Sequence, residues 1–148
     1  MDKRIILTLY FKNHIPKGYI KVVASPGETG SIKLTIFNYT NKNEKILVLN
    51  WHWVSYKIIS EKINRELINY DLFNEKGYFK FNPFKDQFLN ISYNQERVFT
   101  IFNTPVHNTT GYTIDDEEWD KNIRPLKKVS SKDKKKIILF IDIVYIDF

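Results

Sequence analysis

Histidine is the side chain in this sequence best suited to acid–base chemistry at neutral pH. The chain contains three, His14, His52 and His107, which lie in different segments. None has the spacing of a second histidine or glutamate that typical metal sites show. His52 lies between Trp51 and Trp53, whose rings can perturb its pKa, although a hydrogen-bonded strand histidine fits the same pattern. The histidine spacing therefore predicts no metal site.

A second acid–base hypothesis joins His107 to a carboxylate farther along the chain. His107 precedes Asp115 and Asp116, and either carboxylate could orient the imidazole as a general base. No serine nucleophile motif lies nearby, and the chain has no cysteine. We therefore predict no catalytic residue, no bound cofactor and no enzymatic activity.

The densest cluster of carboxylates lies at residues 115–120, with five in six residues. They are Asp115, Asp116, Glu117, Glu118 and Asp120. Carboxylate oxygens suit Ca²⁺, but the spacing and the glycine of an EF-hand loop are absent. Two catalytic carboxylates of a glycosidase must face each other across a cleft, which adjacent residues do not ensure. We predict a solvated loop or a partner-binding patch, with a weak cation site as the alternative.

The charge reverses directly after this segment. Between residues 121 and 136, eight cations and one carboxylate give a net charge of +7. The cations are Lys121, Arg124, Lys127, Lys128, Lys132, Lys134, Lys135 and Lys136. This basic segment could be a solvated loop, attract phosphate or anionic lipid, or pair with the acidic segment here or in a neighbour. Its last three lysines, Lys134, Lys135 and Lys136, are candidate partner-binding residues.

Aromatic residues are concentrated in the middle third of the chain. The sequence has 3 Trp, 9 Tyr and 11 Phe, and most of them must fill the core. Residues 77–84 carry more aromatics than one buried face can use, so some should be exposed and available for contacts. The aromatic candidates for partner binding are Trp51, Trp53, Tyr78, Phe79 and Phe84.

Composition and alternation of apolar residues indicate strands as the elements that position these groups. Twenty Ile, eight Val and nine Thr stand against a single Ala, which favours β-structure over helix. The predicted strands are 4–12, 31–38, 45–58, 97–103 and 137–147, with one short helix near 60–70 and a loop-rich segment at 104–136. We predict a single all-β domain over 1–148, a two-sheet antiparallel β-sandwich.

The overall charge argues against a nucleic-acid reader. The net charge is +6, carried by 19 Lys and only 4 Arg, whereas base and phosphate readers rely on Arg. No apolar run reaches the roughly 18 residues of a membrane span, and the first residues do not read as a signal peptide. We therefore expect no transmembrane segment and, by default, a cytoplasmic location.

One segment resembles a known family. Residues 25–40, from the Pro-Gly-Glu turn through the alternating Ile-Lys-Leu-Thr-Ile segment, are similar to the A–B region of bacterial immunoglobulin-like domains. Trp51 or Trp53 could take the place of the buried Trp of such domains. The resemblance implies an immunoglobulin-like β-sandwich and carries little information about function.

These features favour a binding role. We predict a non-enzymatic protein–protein interaction module, such as a structural or assembly component of a bacterial or viral apparatus or a neutralising protein. Its partner would be another protein or a second copy of the chain. The alternative is a lectin-like carbohydrate-binding module that stacks exposed aromatic rings on a glycan.

Overall fold

The computed structural model describes residues 19–71, 73–78 and 80–146. Within them, helices and strands alternate along the chain. The elements are α1 (Gly27–Tyr39), β1 (Lys45–Leu49), α2 (Val54–Lys62), β2 (Glu66–Tyr70), α3 (Phe81–Asn94), β3 (Arg97–Asn103), α4 (Asp116–Asp133) and β4 (Lys136–Asp142).

The strands form one parallel sheet in the order β2-β1-β3-β4. Val48 of β1 is in register with Asn69 of β2 and Ile101 of β3, and Asn103 of β3 is in register with Asp142 of β4. Parallel neighbours require a long crossover between them, and the helices supply it. The predicted all-β antiparallel sandwich is therefore wrong, because the described chain is an α/β layer structure.

Helices cover both faces of the sheet. Ile46 and Val48 of β1 face α1 and α2, whereas Leu47 and Leu49 face α3 and α4. The first face is filled by Ile32, Ile36, Tyr56 and Ile59, and the second by Phe84, Phe88, Ile91, Leu126 and Val129. A strand buried on both faces is apolar at every position, which is why β1 reads as a central strand. That part of the prediction is confirmed.

The predicted strand at 31–38 is wrong, since these residues lie within α1. Ile32 and Ile36 are each 1% exposed, while Leu34 between them is 45% exposed. Positions i and i+4 share one face of a helix, and positions i, i+2 and i+4 share one face of a strand. The burial of Ile32 and Ile36 therefore fits a helix and a strand equally well. The exposure of Leu34 fits only the helix.

The predicted strand at 45–58 and the predicted helix at 60–70 are both displaced. The strand ends at Leu49, α2 covers Val54–Lys62, and Glu66–Tyr70 is strand β2. Ile59, Ile63 and Leu67 do pack against one core cluster, as a helical spacing predicts. These three residues belong to a helix, a turn and a strand, respectively. Packing against the same cluster therefore does not require one continuous helix.

The segment predicted as loop, 104–136, contains the longest helix of the described residues. The side chain of Asp115 accepts a hydrogen bond from the backbone N–H of Glu118 at 2.8 Å, and Glu118 accepts one from the N–H of Asp115 at 3.1 Å. This reciprocal capping box starts α4, and the acidic first turn complements the positive end of the helix dipole.

The remaining strand predictions have mixed outcomes. The strand at 97–103 is confirmed as β3, and the predicted strand 137–147 is the shorter β4. The predicted strand at 4–12 lies outside the described residues.

Removing the cap of α4 tests the helix that replaces the predicted loop. We expect Asp115→Ala to lower the free energy of unfolding by about 1 kcal/mol, because the N–H of Glu118 loses its acceptor. Urea unfolding followed by circular dichroism measures the change. Asp120→Ala, which removes an exposed carboxylate one turn later, is the matched control. Equal effects of the two substitutions would contradict the capping role.

Candidate functional site

The candidate site lies at the carboxyl ends of the parallel strands. Strands β1 and β3 are neighbours, yet the chain leaves β1 for α2 on one face and leaves β3 for α4 on the other. Such a divergence opens a crevice beyond the strand ends, where α/β proteins bind ligands. The segments that follow the strand ends here are 50–53, 104–115 and 143–146.

Asp142 is the carboxylate at this edge. It is the last residue of β4, is 6% exposed, and accepts a hydrogen bond from the Tyr56 hydroxyl of α2. Its backbone carbonyl accepts hydrogen bonds from the N–H of Thr104 at 3.1 Å and from the side-chain amide of Asn103 at 3.3 Å. The N–H of Val144 donates to the Asp142 carboxylate at 3.2 Å. The side chain of Asp142 is thus held by α2 and by the segment that follows β4, and its backbone is held by the end of the neighbouring strand β3.

Tyr56 holds its proton at any physiological pH. Its pKa is raised, chiefly by burial and then by its hydrogen bond to Asp142, with the charge of Glu28 adding to the effect. Burial and repulsion by Asp142 also raise the pKa of the Glu28 carboxyl. Tyr56 is therefore a permanent donor to Asp142, and Glu28 is a second acid in the same electrostatic environment.

A cavity of about 410 Å³ lies between the first turn of α1 and the end of β4. Glu28 and Ser31 of α1 line one side, and Asp142 and Val144 line the other. The N-terminal amides of a helix favour anions, and a buried carboxylate favours a protonated nitrogen. This arrangement suits a ligand with an anionic group at one end and a ring or amine nitrogen at the other.

The segment after β1 forms an aromatic wall beside Tyr56. The Trp53 ring meets the Tyr56 ring edge-on at 5.8 Å between centroids, and the His52 ring lies 6.2 Å from it. The hydroxyl of Thr109, from the loop after β3, donates to the backbone carbonyl of Trp51 at 2.6 Å. This hydrogen bond ties the two loops together across the crevice.

His107 is a buried, neutral histidine in the loop after β3. It is 2% exposed, and its Nδ1 lies 2.8 Å from the hydroxyl of Thr110. Burial, and then the charge of His52, lower the pKa of His107 to about 4. Its Nε2 has no hydrogen-bond partner among the described residues. Since Asp115 caps α4 and His107 bonds to Thr110, the hypothesised pairing with Asp115 or Asp116 has no support in these contacts.

In residues 19–71, 73–78 and 80–146, no three His, Cys, Asp or Glu side chains are grouped as metal ligands. Within the same ranges, no helix combines the length and apolar character needed to cross a membrane.

The aromatic candidates from the sequence are placed very differently from one another. Trp51 is 70% exposed and Trp53 is half-buried, both on the loop after β1 that borders the candidate site. Tyr78 is 70% exposed on a separate turn. Phe84 is fully buried against Phe88 and Phe102 and so contacts the core rather than solvent. Phe79 lies outside the described residues.

The acidic candidates all lie at the start of α4. Asp115 and Glu118 form its capping box, and Glu118 also accepts a hydrogen bond from the Tyr112 hydroxyl. Asp116 is exposed in the first turn, and Glu117 forms an ion pair with Lys121 at 2.6 Å.

The three basic candidates lie where α4 passes into β4. Lys134 adopts a left-handed conformation with φ of 52° at the end of the helix. The Lys135 ammonium donates to the carbonyl of Gln95 at 3.0 Å, and Lys136 pairs with Glu96 at 3.0 Å. The structure thus does not bring the acidic and basic candidates into the site at the strand ends.

Sequence reasoning missed the residues that form this site, namely Glu28, Tyr56, Asn103 and Asp142. One signal was present, because Asp142 interrupts an otherwise apolar strand at its carboxyl end. In a parallel sheet that position points to a ligand site, whereas in a sandwich it has no such meaning.

Comparison with known proteins gives a consistent result. The family model for aminotransferase class I and II matches residues 4–148. An aminotransferase from Anaerococcus prevotii is 31% identical, with a TM-score of 0.93 over 98% of this chain and 36% of its own. No curated protein matches the chain.

Two more distant structures show the same fold. Cystalysin from Treponema denticola, which contains pyridoxal 5'-phosphate (PLP), is 14% identical with a TM-score of 0.70, covering 93% of this chain and 33% of its own. The PLP-bound C–S lyase from Staphylococcus hominis is 19% identical with a TM-score of 0.65, covering 92% and 33%. The chain therefore spans about a third of the length of the structures that it matches.

These matches overturn the functional predictions. The immunoglobulin-like resemblance of residues 25–40 is wrong, since they form the turn into α1 and the helix itself. The non-enzymatic interaction module, and its lectin-like alternative, are also wrong, because the matching family consists of enzymes. With a family match over residues 4–148, this chain belongs to the aminotransferase class I and II family.

Proposed function

We propose that this chain forms the cofactor-binding part of a PLP-dependent enzyme that transfers the amino group of an amino acid. The observation that carries the proposal is the buried Asp142 carboxylate, which faces the first turn of α1 across the 410 Å³ cavity. The PLP contained in cystalysin and in the C–S lyase, which share this fold, supports the choice of cofactor.

The residues at the strand ends fit PLP at two points. PLP enzymes place an acidic or basic side chain against the pyridine nitrogen, and Asp142 is the buried acid in this position. PLP also carries a phosphate, for which the amides in the first turn of α1 are suitable donors. When bound, PLP acts as an electron sink for the carbon attached to the substrate amine.

The protein's own contribution is to orient the Asp142 carboxylate. The Tyr56 hydroxyl donates to one carboxylate oxygen, and the Val144 N–H donates to the other. A carboxylate held in this way stabilises the protonated form of a partner nitrogen. The protonated nitrogen is positively charged and withdraws electrons. Tyr56 and Val144 are therefore positioning residues, and Asp142 is the residue that would contact the cofactor.

The loops after β1 and β3 lie beside the site, where they contact Tyr56 and each other. Trp53 covers the edge of Tyr56, and the hydrogen bond from Thr109 to Trp51 closes the gap between the loops.

Cofactor binding is the direct test. We expect the protein to bind PLP saturably, and Asp142→Asn to weaken the affinity about tenfold or more, because the charged partner of the ring nitrogen is lost. Equilibrium dialysis measures the binding. Asp120→Asn, an exposed carboxylate on α4, serves as the matched control and should bind normally. No saturable binding, or equal loss in both variants, would contradict the proposal.

Removing the Glu28 carboxylate should strengthen PLP binding, whereas removing that of Asp142 weakens it. The Glu28 carboxylate lies in the first turn of α1, where it repels an incoming phosphate. We expect Glu28→Gln to tighten PLP binding several-fold in the same dialysis experiment. Pyridoxal, which lacks the phosphate, provides the control and should show no gain. Weaker PLP binding by the variant would exclude the α1 end as the phosphate site.

Burial of neutral His107 predicts a pH-dependent stability. Because its pKa falls from 6.5 to about 4 on folding, the unfolded chain binds more protons between these values. Above about pH 6.5, His107 should therefore not change the free energy of unfolding. As the pH falls from there to 4, the free energy of unfolding should decrease by about 1 to 3 kcal/mol. Urea unfolding at a series of pH values measures this. His107→Gln should flatten this part of the profile, and an unchanged slope would show that His107 is not the group responsible.

A further inference from the structure

The outer surface of α3 and α4 carries a groove that the proposed site does not use. It has a volume of about 610 Å³ and lies on the helical layer opposite to α1 and α2. Its floor is apolar, with Leu89 of α3 and the buried Pro125 and Val129 of α4. Tyr93, which is 81% exposed, adds an aromatic ring at one end.

Cations border this apolar floor at regular spacing. Four of them, Lys121, Arg124, Lys128 and Lys132, follow one another every three or four residues along α4, and Lys85 faces them from α3. Residues three and four apart lie on one face of a helix, so the four form a row along the rim. The lining includes one carboxylate, Asp133.

Most of these cations have no anionic partner within the described residues. Lys121 pairs with Glu117 at 2.6 Å, whereas no ion pair of residues 19–71, 73–78 and 80–146 includes Lys85, Arg124, Lys128 or Lys132. These cations are exposed, and like charges three and four residues apart on a helix repel one another weakly, so the row attracts a ligand that carries several negative charges. The groove is therefore complementary to a ligand that is apolar on one side and negatively charged along its edges.

The length of the row of cations on α4 indicates which kind of ligand fits the groove. Lys121 to Lys132 spans about 16 Å along α4, with a cation at nearly every turn. A fatty acid has a single carboxylate and would satisfy one or two of these charges. An acidic amphipathic helix repeats its side chains at the same one-turn spacing and places its apolar stripe on the floor of the groove.

We propose that the α3–α4 groove binds an acidic amphipathic helix of a partner protein. Leucine-type side chains of the partner occupy the floor formed by Leu89, Pro125 and Val129. Its aspartate and glutamate side chains pair with the row of cations on α4. This site is independent of the proposed cofactor site, since it lies on the helical surface and not at the strand ends.

The probe is a fluorescein-labelled synthetic peptide of about 15 residues, with leucine along one face and glutamate on both flanks, long enough to form a helix. Fluorescence anisotropy measures its binding to the full chain. We expect saturable binding that weakens with added salt. A peptide of the same composition in shuffled order, and one with glutamine in place of glutamate, should each bind about tenfold more weakly.

Two charge reversals on the same helix locate the binding surface. Lys128→Glu should weaken peptide binding about tenfold, because it reverses the centre of the cation row. Lys127→Glu makes the same change in net charge at an exposed position that lines a different depression, and should leave binding nearly unchanged. Tyr93→Ser, at an exposed position, should also weaken binding, and circular dichroism checks that each variant is folded.

Three results would overturn the proposal. Equal effects of Lys127→Glu and Lys128→Glu would show attraction by net charge alone. Equal binding of the shuffled peptide would show that no helical register is recognised. Displacement of the peptide by laurate at equimolar concentration would identify the groove as a fatty-acid site instead.

Discussion

The hydrogen bond from the Tyr56 hydroxyl to Asp142 is the interaction on which the site at the strand ends depends. It joins α2, on one face of the sheet, to the last residue of β4, and both groups are buried. Burying a carboxylate is costly unless donors compensate it, and Tyr56 together with the Val144 N–H provides them. The register of β3 with β4 places Asn103 beside Asp142, so the sheet itself sets the position of the acid. Parallel pairing is therefore what turns an isolated aspartate in the sequence into part of a ligand site.

The sequence allowed the strands to be located better than the helices. β3 was predicted with its correct bounds, and β1 and β4 were recognised because they are apolar on both faces. Apolar residues on both faces of a strand are typical of buried parallel strands, whereas the strands of a sandwich are half-exposed. The prediction of a sandwich did not take this difference into account. The alternation of Ile32, Leu34 and Ile36 with polar residues predicts a strand in the segment that forms α1, where the burial of Ile32 and Ile36 overrides their low helix propensity. The capping box of Asp115 and Glu118, which was visible in the sequence, was interpreted only as a charge cluster.

The candidate site was harder to predict for a physical reason. Glu28, Tyr56 and Asp142 are far apart in sequence and meet only because α1, α2 and β4 converge at one edge of the sheet. None of these residues belongs to a local motif with a recognisable spacing. The split charge of residues 115–136 was recognised, but its two halves have different roles. The acidic half starts α4, while part of the basic half borders the α3–α4 groove.

The central claim is that Asp142 and the first turn of α1 hold the two ends of one cofactor. A crystal structure of the protein with PLP tests this most directly, because it shows the ring nitrogen and the phosphate separately. The account predicts that the ring nitrogen lies about 3 Å from the Asp142 carboxylate, with the phosphate at the first turn of α1. PLP bound elsewhere, or bound with its ring nitrogen away from Asp142, would contradict it.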